Sequence, residues 1–358
     1  MRSVLGALVI LGFCWLFAAP AADAQQDPGY HLLKKVVLGG PGSWDYFEVD
    51  SGYTHRVFVP RGVNINVVEA DGTVVGNIPT PNGSHGLVFA PEFKRGYTAG
   101  KDGQLLIFDP KTLEVIGEEK PPETRSTDFV VYDSGSKRVF TFNPRTGDAT
   151  AFDAKTGKFV GFLDLGGQLE AGQGDGKGRV FVLLIKTNEM VEFDSKALKV
   201  LNKWSIAPCI EPHGLTIDVA HKRLFTGCRG NYITTVVDYE NRKTVATIPI
   251  GKGTDSNQFD PSAGLVFSSC ADGTINVAHE DTPDKYTVVQ TIQSMKGART
   301  MALDTKNHNV YAVAPQFTDP DYPGYILPAP PDNPSARGKQ SPPLPDTFTL
   351  LIFAKGGK

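Results

Sequence analysis

The feature that most constrains this chain is a repeat of 40 to 44 residues that runs through nearly its whole length. Seven copies register on the residue that closes a short first strand: Asp50, Ala90, Asp133, Asp175, Asp218, Asp260 and Asp304. In each copy a small polar turn follows, and then a second strand with an aromatic near its middle: Phe58, Tyr97, Phe140, Phe181, Phe225, Phe267 and Tyr311. An aromatic at the same place in every copy implies packing between neighbouring copies, because one ring can bury about 150–250 Å². The stretch His213–Ile250 displays the unit most clearly. Its strands are His213–Asp218, Arg223–Cys228, Tyr232–Asp238 and Thr244–Ile250, rich in β-branched and aromatic residues and separated by polar turns. Third strands often end in an acid and a turn, as in Asp109-Pro-Lys-Thr and Asp153-Ala-Lys-Thr, where the aspartate can bond the backbone two residues on.

Four short strands cannot cover their own two faces, so each unit needs another beside it. Four strands in each of seven copies predict an all-β chain: a seven-bladed β-propeller of four-stranded antiparallel blades. The last copy supplies only three strands, the third being Phe348–Ala354. His31–Leu38, ahead of the first copy, is the spare strand expected to complete that blade and remove an open edge. Pro315–Asp346 interrupts the last copy between its second and third strands. Its ten prolines predict an extended, partly polyproline loop.

Residues 1–24 read as a signal peptide outside the fold. Arg2 is the basic start, Val4–Phe17 the apolar run, and Ala22-Asp23-Ala24 a small-x-small cleavage site. The mature protein, 25–358, is therefore expected in the periplasm or secreted, without a membrane span after cleavage. Its net charge of −3 offers no general attraction to nucleic acid or an anionic membrane. Three cysteines remain: Cys209, Cys228 and Cys270. One bridge plus one thiol is the most that an odd number allows. Cys209–Cys228 would staple a loop to its own blade, Cys228–Cys270 would join two blades, and three free thiols are the third alternative.

The repeats resemble the YVTN-repeat, YncE-like family of exported seven-bladed propellers. The resemblance rests on Pro212-His213-Gly214, Lys222-Arg223-Leu224-Phe225, and Val236-Val237-Asp238 with Val245-Ala246-Thr247-Ile248-Pro249-Ile250-Gly251. Asp128, Glu170 and Asp255 depart from the pattern, standing where a His or a Pro-Gly turn would be expected. The resemblance implies fold and export. It implies little about function, since propellers host unrelated activities.

Function is expected at the upper face, where each first strand begins. Counting five residues back from the aligned position gives Asp45, His85, Asp128, Glu170, His213, Asp255 and Arg299, all ionisable. Innermost strands line a propeller's channel, so these seven should ring its mouth and form a net acidic, ligand-binding funnel for a cation, a metal or a cationic small molecule. A structural role, each group bonding to its own blade, is the alternative.

A second class of reading makes the chain a metal-dependent lyase or lactone hydrolase, with His213 or His85 as general base beside Glu170 and a divalent metal as cofactor. No nucleophile elbow and no HExxH occur in the sequence, so a non-enzymatic binding or scaffold role comes first. The partner would be a small molecule or a periplasmic protein, met by a monomer through the mouth and the Pro-rich loop. Arg61, Lys101, Arg145, Lys186 and Arg229 could form an outer basic rim, the feature behind a third reading of single-stranded nucleic-acid binding.

Overall fold

A computed structural model describes residues 29–40, 44–319 and 341–356. The signal-peptide reading and the middle of the Pro-rich insertion lie outside the described residues. Within them the chain forms seven four-stranded antiparallel sheets arranged as a β-propeller, with one short 3-10 turn at Pro91–Phe93 as its helical element. First strands are Glu48–Val49, Leu87–Ala90, Phe129–Asp133, Leu169–Gly174, Pro212–Asp218, Thr254–Asp260 and Met301–Asp304, in blades 1 to 7. Each aligned position therefore ends a first strand or follows it directly.

The last blade closes the ring as the spare strand predicts. Tyr30–Val37 pairs antiparallel with Thr349–Lys355, so the two ends of the described chain share one sheet. The strand is offset by one residue from its sequence boundaries. Tyr30 is buried and sets its ring edge-on against Phe267 of blade 6, with centroids 5.3 Å apart.

All seven second-strand aromatics are fully buried. Most visibly face the next blade: Phe58 meets Phe89, Phe140 meets Phe193, Phe181 meets Tyr239, and Phe225 meets Phe259 and Tyr286. Tyr97 donates its hydroxyl to the Ala154 carbonyl of blade 3, and Tyr311 packs among Val57, Val59 and Val68 of blade 1. The core is thus a series of wedges between blades, and the ring is held by a repeated ring-to-neighbour contact.

Cys209 and Cys228 form a disulfide with Cα atoms 5.3 Å apart, and Cys270 is a buried free thiol. The bridge ties the loop leading into blade 5 to the upper end of that blade's second strand. At the base of the Pro-rich insertion the two described arms meet. Phe317 bridges Pro343, Leu344 N–H donates to the Gln316 carbonyl at 2.8 Å, and the Thr318 and Ser341 hydroxyls lie 2.6 Å apart. The Pro342 carbonyl also accepts from the Thr318 N–H at 3.2 Å, so the arms pair as a short stem although proline itself has no N–H to donate.

Candidate functional site

All seven predicted mouth residues lie within the described structure, and six of them come together in two trios. Asp45, His85 and Asp128, from blades 1 to 3, form one. Glu170, His213 and Asp255, from blades 4 to 6, form the other. Arg299 of blade 7 joins the second trio through Asp255, its Nε donating to Oδ2 at 2.7 Å. The side chains bond from blade to blade across the mouth. Beyond that, His213 also reaches a backbone carbonyl two residues away, so the structural alternative describes part of its role.

Local backbone explains how the second trio is aimed. Residues along a strand alternate between its two faces. Register shifts at the upper ends of the first strands of blades 4, 5 and 6 break that alternation, at Leu169/Gly172, His213/Leu215 and Thr254/Ser256. Such bulges redirect a side chain. In blade 5 the extra residue is Gly214, at φ +62°. A Cβ there would lie 2.9 Å from the Ser256 Cα and 2.8 Å from the Asn257 side chain, so the His-Gly pair needs its glycine.

The two sides differ in hydration. Asp45, His85 and Asp128 keep 23, 31 and 31% of their side-chain surface exposed, against 13, 5 and 9% for Glu170, His213 and Asp255. On the wetter side His85 Nδ1 stands 3.4 Å from Asp45 Oδ2 and 3.8 Å from Asp128 Oδ1. Its bond to Asp45 raises the imidazole above its ordinary value of 6.5. Burial, and then the nearby Asp45 charge, push the Asp128 carboxyl up to about 6.

The drier side has the opposite logic. Arg229 and Arg299 both bond Asp255 and, against the cost of burial, hold its carboxyl below the usual range. Burial, and then the charge of Arg229, lower His213 to about 4. Its Nδ1 lies 3.1 Å from the Glu211 carbonyl, to which a neutral ring donates, leaving Nε2 facing Glu170 Oε2 at 3.7 Å. Burial pushes Glu170 well above the usual carboxyl range, reinforced by Asp128 and Asp255. Tyr46 of blade 1 donates to Glu170 Oε1 of blade 4 at 2.7 Å, spanning the mouth.

Charge in the expected net acidic funnel is thus unevenly distributed. Arg229 shares Asp255 with Arg299, and burial favours the neutral form of Glu170. The basic rim also changes. Arg229 turns into the mouth, while Arg61 is buried, donates to the Gly39 and Gly40 carbonyls and covers the Phe348 ring. Lys101, Arg145 and Lys186 remain exposed. His213 also fits poorly as a general base near neutral pH, because catalytic bases work best with a pKa near the operating pH.

Sequence reasoning missed Tyr46 and Trp44. Both flank Asp45, and both are aromatics just ahead of a short first strand, which is the signal that could have found them. Trp44 lies under the Arg299 guanidinium at 5.0 Å and against Phe317 of the Pro-rich stem at 6.3 Å. Below the mouth a cavity of about 440 Å³ runs down the channel. Its upper lining includes Tyr46, Gly86, Phe129, Ala171, Gly214 and Ser256, and farther down come Val88, Leu215 and Glu48. Burial pushes the Glu48 carboxyl up to about 7.

These features define the class, a seven-bladed β-propeller with a polar channel mouth. No family model matches the chain, and no curated protein matches it. Among solved structures, a chain from a structure titled "Crystal Structure of Mitotic Checkpoint Complex" is similar, with a TM-score of 0.70 and 11% identity. The match covers 98% of this chain and 100% of that one. At that identity the likeness concerns fold alone.

Proposed function

We propose that this is an exported, YncE-like propeller that binds a small cationic ligand at its channel mouth, with the ligand's charged head between Asp45 and Asp128 and its body in the cavity below. The observation that carries the reading is the unequal mouth. Asp255 is bonded by two arginines, whereas Asp45 and Asp128 flank one imidazole across contacts of 3.4 and 3.8 Å, with the Arg299 charge acting on both of them as well. A ligand ammonium would take the place of the His85 proton. The cavity volume lies in the range of about 300–1,000 Å³ usual for small-molecule pockets. Export is supported by the Met1–Ala24 sequence and by a bridged Cys209–Cys228 pair, which suits an oxidising compartment. Phe317 at the base of the Pro-rich insertion packs against Trp44 at the mouth, which supports the insertion as part of the surface a protein partner would meet.

The test is calorimetric titration of the mature protein with phenethylamine and with 2-phenylethanol, which keeps the ring and lacks the charge. Binding of the amine alone, lost in Asp45→Asn/Asp128→Asn, is expected. Equal binding of both probes, or amine binding that survives the double substitution, would overturn the reading.

A second reading is favoured by the same trio. Asp45, His85 and Asp128 offer three ligand atoms within 4.8 Å of one another, a donor set suited to a divalent metal. The metal would serve a lyase or hydrolase by polarising a carbonyl. One equivalent of metal that survives dialysis and is lost in His85→Ala would favour this reading over the amine site.

A further inference from the structure

A second site of different character lies on the opposite face, between blades 5 and 6. Asp218 closes the first strand of blade 5, His221 sits in the turn that follows, and Glu280 comes from the third strand of blade 6, Thr274–Thr282. The Ala220 and His221 backbone N–H groups donate to Asp218 Oδ1 at 2.9 and 3.3 Å, which fixes the carboxylate and leaves Oδ2 directed at the imidazole. His221 Nδ1 lies 2.6 Å from Asp218 Oδ2 and 3.0 Å from Glu280 Oε1.

One imidazole nitrogen carries at most one hydrogen. Two carboxylate oxygens therefore converge on a single proton, and Asp218 is the nearer. Glu280 Oε1 is buried, its side chain is only 5% exposed, and the donor that reaches it is the His221 nitrogen already bonded to Asp218. A buried carboxylate oxygen left in this way is costly unless a cation or donor meets it. Nearby Arg223 is committed elsewhere, to Asp238 at 3.2 Å and Asp284 at 2.7 Å. The His221 side chain is 53% exposed, so the imidazole borders solvent. By contrast, the aligned Asp260 of the next blade meets one histidine, His308 at 2.6 Å, and belongs to no such trio among the described residues.

We infer that Asp218, His221 and Glu280 bind a divalent transition-metal ion, zinc being the fitting case, and that the ion clasps blade 5 to blade 6. Two carboxylate oxygens and one imidazole nitrogen, with a solvent-side position left for water, form a three-ligand donor set suited to zinc. The ion takes the place of the shared proton, so binding releases one proton from Nδ1 when that nitrogen is protonated. Because the ligands come from two blades, the bound ion stabilises the folded ring by mass action.

The test uses mature protein stripped of metal and carrying His85→Gln and His213→Gln, which removes both mouth imidazoles. Titration with Zn²⁺ is expected to show one equivalent and a rise in Tm. Adding His221→Ala, an exposed position where truncation spares the fold, should weaken binding by more than ~100-fold and abolish the Tm rise. Glu280→Gln, nearly isosteric, should weaken it as well. Absence of binding with His221 intact, or binding unchanged by His221→Ala, would overturn the inference.

Discussion

The two sides of the channel mouth use the same residue types in the same order, a histidine between two carboxylates, yet they hold charge in opposite ways. On the side of blades 1 to 3 the histidine is raised and stands loosely between wet carboxylates. On the side of blades 4 to 6 the histidine is lowered to about 4, one carboxyl is pushed far up, and the other is clamped by arginines. The difference comes from what stands behind each trio. Arg229, Arg299 and Tyr46 fill the drier side, and the Cys209–Cys228 bridge anchors the segment that delivers Arg229. Identical ring positions thus yield one side clamped by two arginines and another whose wetter carboxylates stand beside a raised histidine.

The sharpest way to break the comparison is to remove the clamp. Asp255→Ala leaves two largely buried guanidiniums facing each other and should cost about 3–5 kcal/mol in urea unfolding, as loss of one partner from a buried ion pair does. A cost under ~1 kcal/mol would mean that the drier side is not held by this cluster. Reducing or deleting the bridge comes next. Cys209→Ala/Cys228→Ala opens a loop with a sequence separation of 19 and should lose about 3 kcal/mol by chain entropy. Equal stability of oxidised and reduced protein would contradict it.

Two smaller effects sharpen the contrast through pH. On the wetter side, cation binding needs Asp128 ionised, with its carboxyl at about 6, and His85 free of its raised proton. Phenethylamine affinity should therefore grow by at least ~10-fold from pH 5 to pH 8, since each proton released on binding adds to the slope. A flat profile would remove those two groups from the site. On the drier side, the raised Glu170 stabilises the fold in acid. That contribution is lost as pH climbs past the ordinary carboxyl value of 4.5 toward the raised one. Glu170→Gln has no proton to lose, so its Tm should exceed that of the parent by more than ~2 °C at pH 8, with the gap closing toward pH 4. A constant gap across that range would show that Glu170 does not titrate on folding.

Much of the ring was legible because a repeat of 40 to 44 residues with one buried aromatic per copy leaves few architectures open. The closing strand was legible because three strands cannot finish a four-stranded blade. The mouth positions followed from a fixed count back along the first strands. Their pairing did not follow. Alternation along a strand assigns faces, and the bulges at His213/Leu215 and Thr254/Ser256 are where that rule breaks. Arg229 was expected on an outer rim. It turns inward to donate to the Thr254 carbonyl at 3.2 Å and to Asp255, partners in the next blade that its own repeat does not encode. Tyr46 reaches from blade 1 to blade 4, and no local pattern encodes a contact across 124 residues.

The unequal mouth is tested most directly by an NMR titration of the imidazole nitrogens of His85 and His213. His85 should titrate above 6.5, and His213 should stay neutral, with its proton on Nδ1, down to about pH 4. Two histidines that titrate together near 6.5 would contradict the account.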